Sequence, residues 1–494
     1  MPQTHDIPAT VRPALRRTLG PFQVFAISFA FISVAVGIFG TYDIVLHEAG
    51  PAGIWLWVIA AVGQTLVALV MAQFAGRIAL TGSSYQWASR LADPKIGWGF
   101  GWLGFCYLGI AVVAVDSALA SQALMPLAGL EPDEGTARLI TVLVLLVQAL
   151  LTIASTRIVS LINASAVLVE VVVVGVLVLA LTAAVAFTGM GSAGNLASRG
   201  VATGSADYFA LGGGLMAAMI MGLSTLVGFD AAANLAEESK NPYRDVPRAI
   251  VGSVVAAGVL WLLFLVALTV AIPDIARISN SGAAVATILR EQLGPLAETS
   301  LLAVVTYAFF ACGMVVMATG ARLVFAMSRD ARFPAHRLMR RVDPRTRTPV
   351  PATLLILAGG ILLMVALPGD ALLQLITAST ILPVLIYAAT VVLYLAVRRR
   401  LGRREGAFDL GRLELPVAIA ALAWSCMALF VLVAPPEAWV PVLIVGGLLV
   451  LGGAFFVLML LFNRDVFLDA APADDGALEG EASLPPATAA GPAG

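Results

Sequence analysis

Apolar stretches of about 18 residues or more, each long enough to cross a bilayer as a helix, recur along the whole chain with only short polar gaps between them. Twelve can be delimited: Phe22–Leu46, Gly53–Gly76, Gly99–Leu127, Ala137–Ala154, Ser160–Thr188 and Tyr208–Leu235, then Pro247–Ile272, Glu298–Met327, Val350–Leu367, Asp370–Val397, Leu415–Ala434 and Ala438–Phe462. No soluble core could absorb them. Of 494 residues, 60% are hydrophobic and 12% charged, and the mean hydropathy is +0.96, which places the chain among all-α integral membrane proteins with the lipid bilayer as its surroundings.

Lys and Arg set the orientation, because positive residues resist translocation. All of them except Arg138, Arg199, Arg277 and Arg290 fall in the terminal segments or the even-numbered gaps, eight between Arg322 and Arg347 and six between Arg398 and Arg412. Both termini are therefore expected in the cytoplasm and the chain in the plasma (inner) membrane. Residues 1–20 form a short cytoplasmic segment with Arg16 and Arg17 but no signal-peptide pattern, so the first span is expected to be retained. Residues 21–463 hold the spans. Residues 464–494, acidic and rich in Ala, Pro and Gly, are expected to be a disordered cytoplasmic tail.

Several functions are disfavoured. The two lysines, Lys95 and Lys240, follow Pro94 and Ser239, so no G-x-x-x-x-G-K phosphate loop exists for an ATP-driven pump. His5, His47 and His336 lie in the tail, at a span end and in a basic loop, leaving no His within a span for hydrolytic or metal chemistry. Cys106, Cys312 and Cys426 read as small buried hydrophobes. No enzyme activity, cofactor, metal or nucleic-acid partner is expected. Twelve spans in one chain suit a secondary transporter better than a channel.

Transporters of this kind bind between helices broken at matching positions in two halves. FISVAVGIFGTYD (Phe31–Asp43) puts Gly37 and Gly40 in the first span, and STLVGFDAAANLAEESKNP (Ser224–Pro242) puts Gly228 in the sixth. A broken helix offers bare N–H groups to a carboxylate and bare carbonyls to a cation. Close helix packing is the competing reason for such glycines, and spacing alone leaves the two even.

VGIFG and GFDAAANLAEESKNPYRDVPRAI resemble the hallmark segments of the amino acid-polyamine-organocation permeases. ARLVFAMSRDARFPAHRLMRRVDPRTRTPVP (Ala321–Pro351) agrees, and FDLGRLELPVAIAALAW (Phe408–Trp424) with the GPAG after the first span resembles the amino acid/choline branch. The resemblance runs from about Gly20 to Phe462. It implies a five-plus-five inverted-repeat (LeuT-like) fold with broken helices 1 and 6, repeat one at about 21–190, repeat two at about 207–398, and two extra helices at about 415–463. It also implies alternating-access uptake of amino acids or related amines, usually driven by protons.

Within the resemblance, backbone at Ala35, Val36, Gly37, Ile38 and Phe39 would receive the substrate carboxylate. Carbonyls near Ser224, Leu226, Val227 and Gly228 would receive the amino group beside Phe229. Ser224 stands where many relatives carry a bulky gating aromatic. Four acids fall within spans and each needs a reason. Asp230, with Thr41 and Asp43, is expected to cap the restarted half-helices. Glu170, seven residues after Asn163, is either the proton-coupling site or a neutral structural carboxyl. Asp116 either meets a substrate amine or faces the packed interior. A cationic amine such as a polyamine, choline-like amine or gamma-aminobutyrate is the alternative to an ordinary amino acid, and a channel or non-transporting sensor is the alternative from another class.

Overall fold

The computed structural model describes residues 15, 17–131, 133–401, 408–462 and 467. The principal helices are α1 Pro21–Ile32, α2 Val34–Glu48, α3 Leu56–Ala75, α4 Ser84–Leu91, α5 Pro94–Ala118, α6 Glu134–Ala154, α7 Thr156–Thr188, α8 Gly214–Thr225 and α9 Ala231–Asn234. They continue with α10 Pro242–Val270, α11 Ala284–Leu293, α12 Pro295–Arg329, α13 Val350–Ala366, α14 Gly369–Ser379, α15 Ile381–Val397, α16 Glu414–Val433 and α17 Trp439–Phe462. Among the described residues the only β pairing is a single parallel bridge between Leu19 and Ser239.

Ten helical stretches are long and apolar enough to cross a membrane, and α8 and α13 are shorter apolar helices. Local chemistry sets several ends. Pro21 opens α1 with its φ already helical, and Asp133 accepts from the Thr136 N–H at the start of α6. Gly189, at φ 68°, terminates α7 in the left-handed conformation that glycine adopts without penalty.

Buried along most of its length, α12 packs against α5 and α7, while α1 lies against α7 and α10, and α3 against α10 and α16. α17 is largely exposed and rests on α14. Of the expected buried cysteines, Cys106 and Cys312 are buried, but Cys426 sits on an exposed face of α16. Arg12, Arg16, Arg464 and the expected disordered tail lie outside the described residues, except Phe467, whose ring meets that of Phe456.

Both expected interruptions occur in regions the sequence marked, and the first is displaced. α1 ends and α2 begins at Ser33, whose φ of 35° is left-handed, whereas Gly37 and Gly40 lie inside α2. Gly37 has a different reason: a β-carbon there would come within 2.1 Å of Thr225 Oγ1, so it lets α2 and α8 approach. The expected span Tyr208–Leu235 is not one continuous helix: its long helical part is α8. It unwinds from Leu226 through Asp230, with Gly228 at φ 82°, then makes the single turn of α9 and a short 3₁₀ turn at Ala236–Glu238.

Candidate functional site

The two interruptions touch. A β-carbon on Gly228 would fall 1.8 Å from the Phe31 ring, so the end of α1 packs directly on the unwound segment. Ser28, one turn earlier on α1, stitches that segment: its hydroxyl donates to the Phe229 carbonyl at 2.7 Å and accepts from the Ala232 N–H at 3.2 Å. On the other side, the Tyr387 hydroxyl of α15 accepts from the Gly228 N–H at 2.8 Å and donates to Asp230 Oδ1 at 3.0 Å. Its ring lies 4.8 Å from that of Phe229.

Asp230 does not cap α9. It occupies the N-cap position, but its side chain makes no capping bond. Ser83 donates to Oδ2 at 2.9 Å and Tyr387 holds Oδ1, turning the carboxylate toward a cavity instead. Ser83 itself is held at φ 45°, a sparsely populated conformation for a residue with a side chain.

The cavity is bounded by Phe31, Tyr107, Asp230, Asn234, Thr319 and Tyr387, among others, and leaves about 40 Å³ for the centres of water-sized occupants. That is room for roughly three waters or one small polar group. Among the described residues Asp230 is the only acid that lines it, and no Lys, Arg or His does. A half-buried carboxylate that receives only neutral hydrogen bonds invites a cation.

On the first interruption, Ser33 stands at the N-cap of α2, and the Gly37 N–H already bonds to the Ser33 carbonyl at 3.3 Å. The N–H groups left without helical partners are therefore those of Val34, Ala35 and Val36, at the positive end of the helix dipole. Of the expected carboxylate-binding backbone, Ala35 and Val36 occupy that first turn, while Gly37, Ile38 and Phe39 lie further into α2. Ser33 Oγ and Thr225 Oγ1 are buried and have no hydrogen-bond partner.

A family model described as amino acid permease matches residues 19–460. The chain belongs to the amino acid permease family. The permease is 27% identical to the amino-acid permease BAT1 of Arabidopsis thaliana, over 83% of this chain and 84% of the relative. It is 28% identical to the low-affinity putrescine importer PlaP of Escherichia coli (strain K12), over 73% and 77% of the two chains. It is 24% identical to the GABA-specific permease of Saccharomyces cerevisiae, over 85% and 75%. The family match makes the permease a membrane transporter of the amino acid-polyamine-organocation superfamily.

The remaining expected residues of the permease are dispersed. Thr41 does not start a helix: its hydroxyl donates to the Gly37 carbonyl one turn back within α2. Asp43 is a cap, but of another helix, accepting from the Ala284 N–H at the start of α11 at 2.6 Å. Ser224 donates to the Ile220 carbonyl within α8. Leu226 and Phe229 are fully buried, with Val227 partly so. Asp116 does not line the cavity; it accepts from Gln148 Nε2 at 2.8 Å and packs against Gly313. Glu170 is buried on α7, within electrostatic range of Cys312 on α12.

Ser28, Ser33, Ser83 and Tyr387 were missed. Ser28 and Tyr387 are single hydroxyls in apolar runs, Ser83 stands in a polar TGSSY turn, and Ser33 is overshadowed by the glycines of the stretch that contains it. The outlying backbone at Ser33 and Ser83 is a property of the assembled fold.

Proposed function

We propose that the permease is a secondary active transporter that carries amino acids or related amines by alternating access, driven by protons. The observation that carries this is the Asp230 carboxylate, which lines a cavity between the end of α1 and the second interruption in which, among the described residues, no basic side chain takes part. Asp230 receives the substrate ammonium, and the N–H groups of Val34, Ala35 and Val36 receive a carboxylate where the substrate has one. A diamine or an amino acid with a distant carboxylate fits this as well as an alpha-amino acid. The substrates after which two relatives are named, putrescine and GABA, support that range.

In this reading α8 and α13 complete twelve spans with the ten longer stretches. Residues 21–190 and 207–398 are inverted repeats, 415–463 carry two extra helices, and both termini face the cytoplasm of the plasma membrane. Glu170, buried in α7, binds and releases the coupling proton.

Purified protein in proteoliposomes tests the proposal with putrescine, choline, gamma-aminobutyrate and an alpha-amino acid panel, with and without an inward proton gradient. Saturable, gradient-dependent uptake is expected. Asp230→Asn should reduce uptake of the preferred amine by about tenfold or more, the factor that about 1.4 kcal/mol of lost interaction produces. Glu170→Gln should flatten the pH dependence. Absence of uptake across the panel would leave a sensor, and uptake that never saturates a channel.

A further inference from the structure

Behind the first interruption, away from the cavity, lies a polar pair that the transport reading does not use. Asp116 of α5 is fully buried, and its Oδ1 accepts from Gln148 Nε2 of α6 at 2.8 Å. The same amide also donates to the Phe310 carbonyl at 3.2 Å. Each partner has one oxygen left over. Asp116 Oδ2 and Gln148 Oε1 are both buried and both without a hydrogen-bond partner.

Two leftover acceptors on one bonded pair have a simple resolution. An ionised carboxylate and an amide oxygen can only accept, but a carboxylic acid donates. One proton on Asp116 Oδ2 turns that oxygen into a donor, the kind of group that Gln148 Oε1 lacks. Leaving both unsatisfied in an apolar interior is the costly alternative.

Among the described residues no basic side chain meets the pair. The groups facing it are Gln148 from α6, the backbone of Phe310 and Gly313 from α12, the Cys312 thiol and, within electrostatic range of that thiol, Glu170 from α7. None of these side chains is a cation.

We infer that the Asp116–Gln148 pair is a second proton-binding site, occupied in this conformation and emptied during the transport cycle. This rests on the proton-driven reading above. The packing ties the proton to the site. A β-carbon on Gly313 would lie 2.3 Å from Asp116 Oδ1, so α12 sits tightly on the pair. The adjacent Cys312 thiol donates to the Phe31 carbonyl at 3.4 Å, at the end of α1 beside Gly228. When the Oδ2–H bond breaks and the proton passes to entering water, the new carboxylate needs hydration. The close α5–α6–α12 contact must then loosen, and α12 pulls on Phe31.

Infrared spectroscopy and proteoliposome transport of wild type and Asp116→Asn test this together. The expected results are a protonated-carboxyl component at neutral pH that Asp116→Asn lacks, substrate-for-substrate exchange within about twofold of wild type, and proton-driven accumulation reduced by about tenfold or more with a flat pH profile. A spectrum unchanged by the substitution overturns the inference, as does accumulation with the wild-type pH profile, or exchange lost in parallel with accumulation. If Asp116→Asn does not assemble, Asp116→Glu replaces it: a shifted carboxyl component with a displaced pH profile supports the inference, and wild-type values of both overturn it. Wild-type uptake indifferent to the proton gradient would defeat the proton-driven reading itself; the infrared component then decides whether Asp116 holds a proton.

Discussion

Thr225 fills the space that a β-carbon on Gly37 would need, its Oγ1 lying 2.1 Å and its own β-carbon 2.6 Å from that position. Both lie in helices next to an interruption, so the contact fixes how α2 meets α8. Gly37→Ala is expected to force the helices apart and destabilise the protein by about 1–3 kcal/mol, the usual cost of overpacking. A lowered thermal midpoint in detergent, together with reduced uptake, checks it.

Tyr387 bonds both the Gly228 N–H and the Asp230 carboxylate. Tyr387→Phe keeps the ring but strands a buried N–H, at a cost of about 1–3 kcal/mol. It also frees Oδ1 of Asp230. Apparent affinity for the transported amine should fall more than the amount of folded protein, as substrate-dependent thermal shifts would measure.

Two ion pairs join the segment after α9 to α12, and they should behave differently. Arg322 and Glu238 are 0% and 1% exposed at 2.9 Å, and Arg322 also donates to Thr156 Oγ1. Arg329 and Glu237, at 2.8 Å, are 32% and 18% exposed. Arg322→Gln leaves a buried carboxylate unpaired and should cost about 3–5 kcal/mol, while Arg329→Gln should cost at most about 1 kcal/mol. The double variant Arg322→Met/Glu238→Gln should recover much of the first loss. Thermal denaturation of the four proteins tests the contrast.

Asp43 caps α11 from α2. Asp43→Ala should cost about 1 kcal/mol, whereas Asp43→Asn should cost much less because an amide oxygen still accepts. Hydrogen exchange at the start of α11 should rise in the alanine variant alone.

The helices were readable in sequence because apolar length and the placement of Lys and Arg are local signals. Val350–Leu367 was expected and Val350–Ala366 is found, and the basic gap after Arg322 begins within α12. The second interruption was also legible, since Gly228 at φ 82° does what glycine alone does easily. The first was misplaced by four residues because the left-handed residue is a serine and the nearby glycine serves a packing contact with a helix far along the chain. Asp230 and Asp43 were expected to cap their own helices. The partners that redirect them, Ser83, Tyr387 and Ala284, are distant in sequence and adjacent only once the chain has folded.

The bridge between Leu19 and Ser239 has a practical consequence. The Thr18 and Leu19 N–H groups both donate to the Glu238 carbonyl, and the Lys240 N–H donates to the Leu19 carbonyl, each at 3.0 Å. The chain just ahead of α1 is thereby laced to the segment leaving the second interruption, so it serves as a handle on that segment. A bulky fusion or a surface tether attached close upstream of Leu19 loads that lacing mechanically. A probe placed there reports on the interruption, and an affinity tag is better joined through a long slack linker.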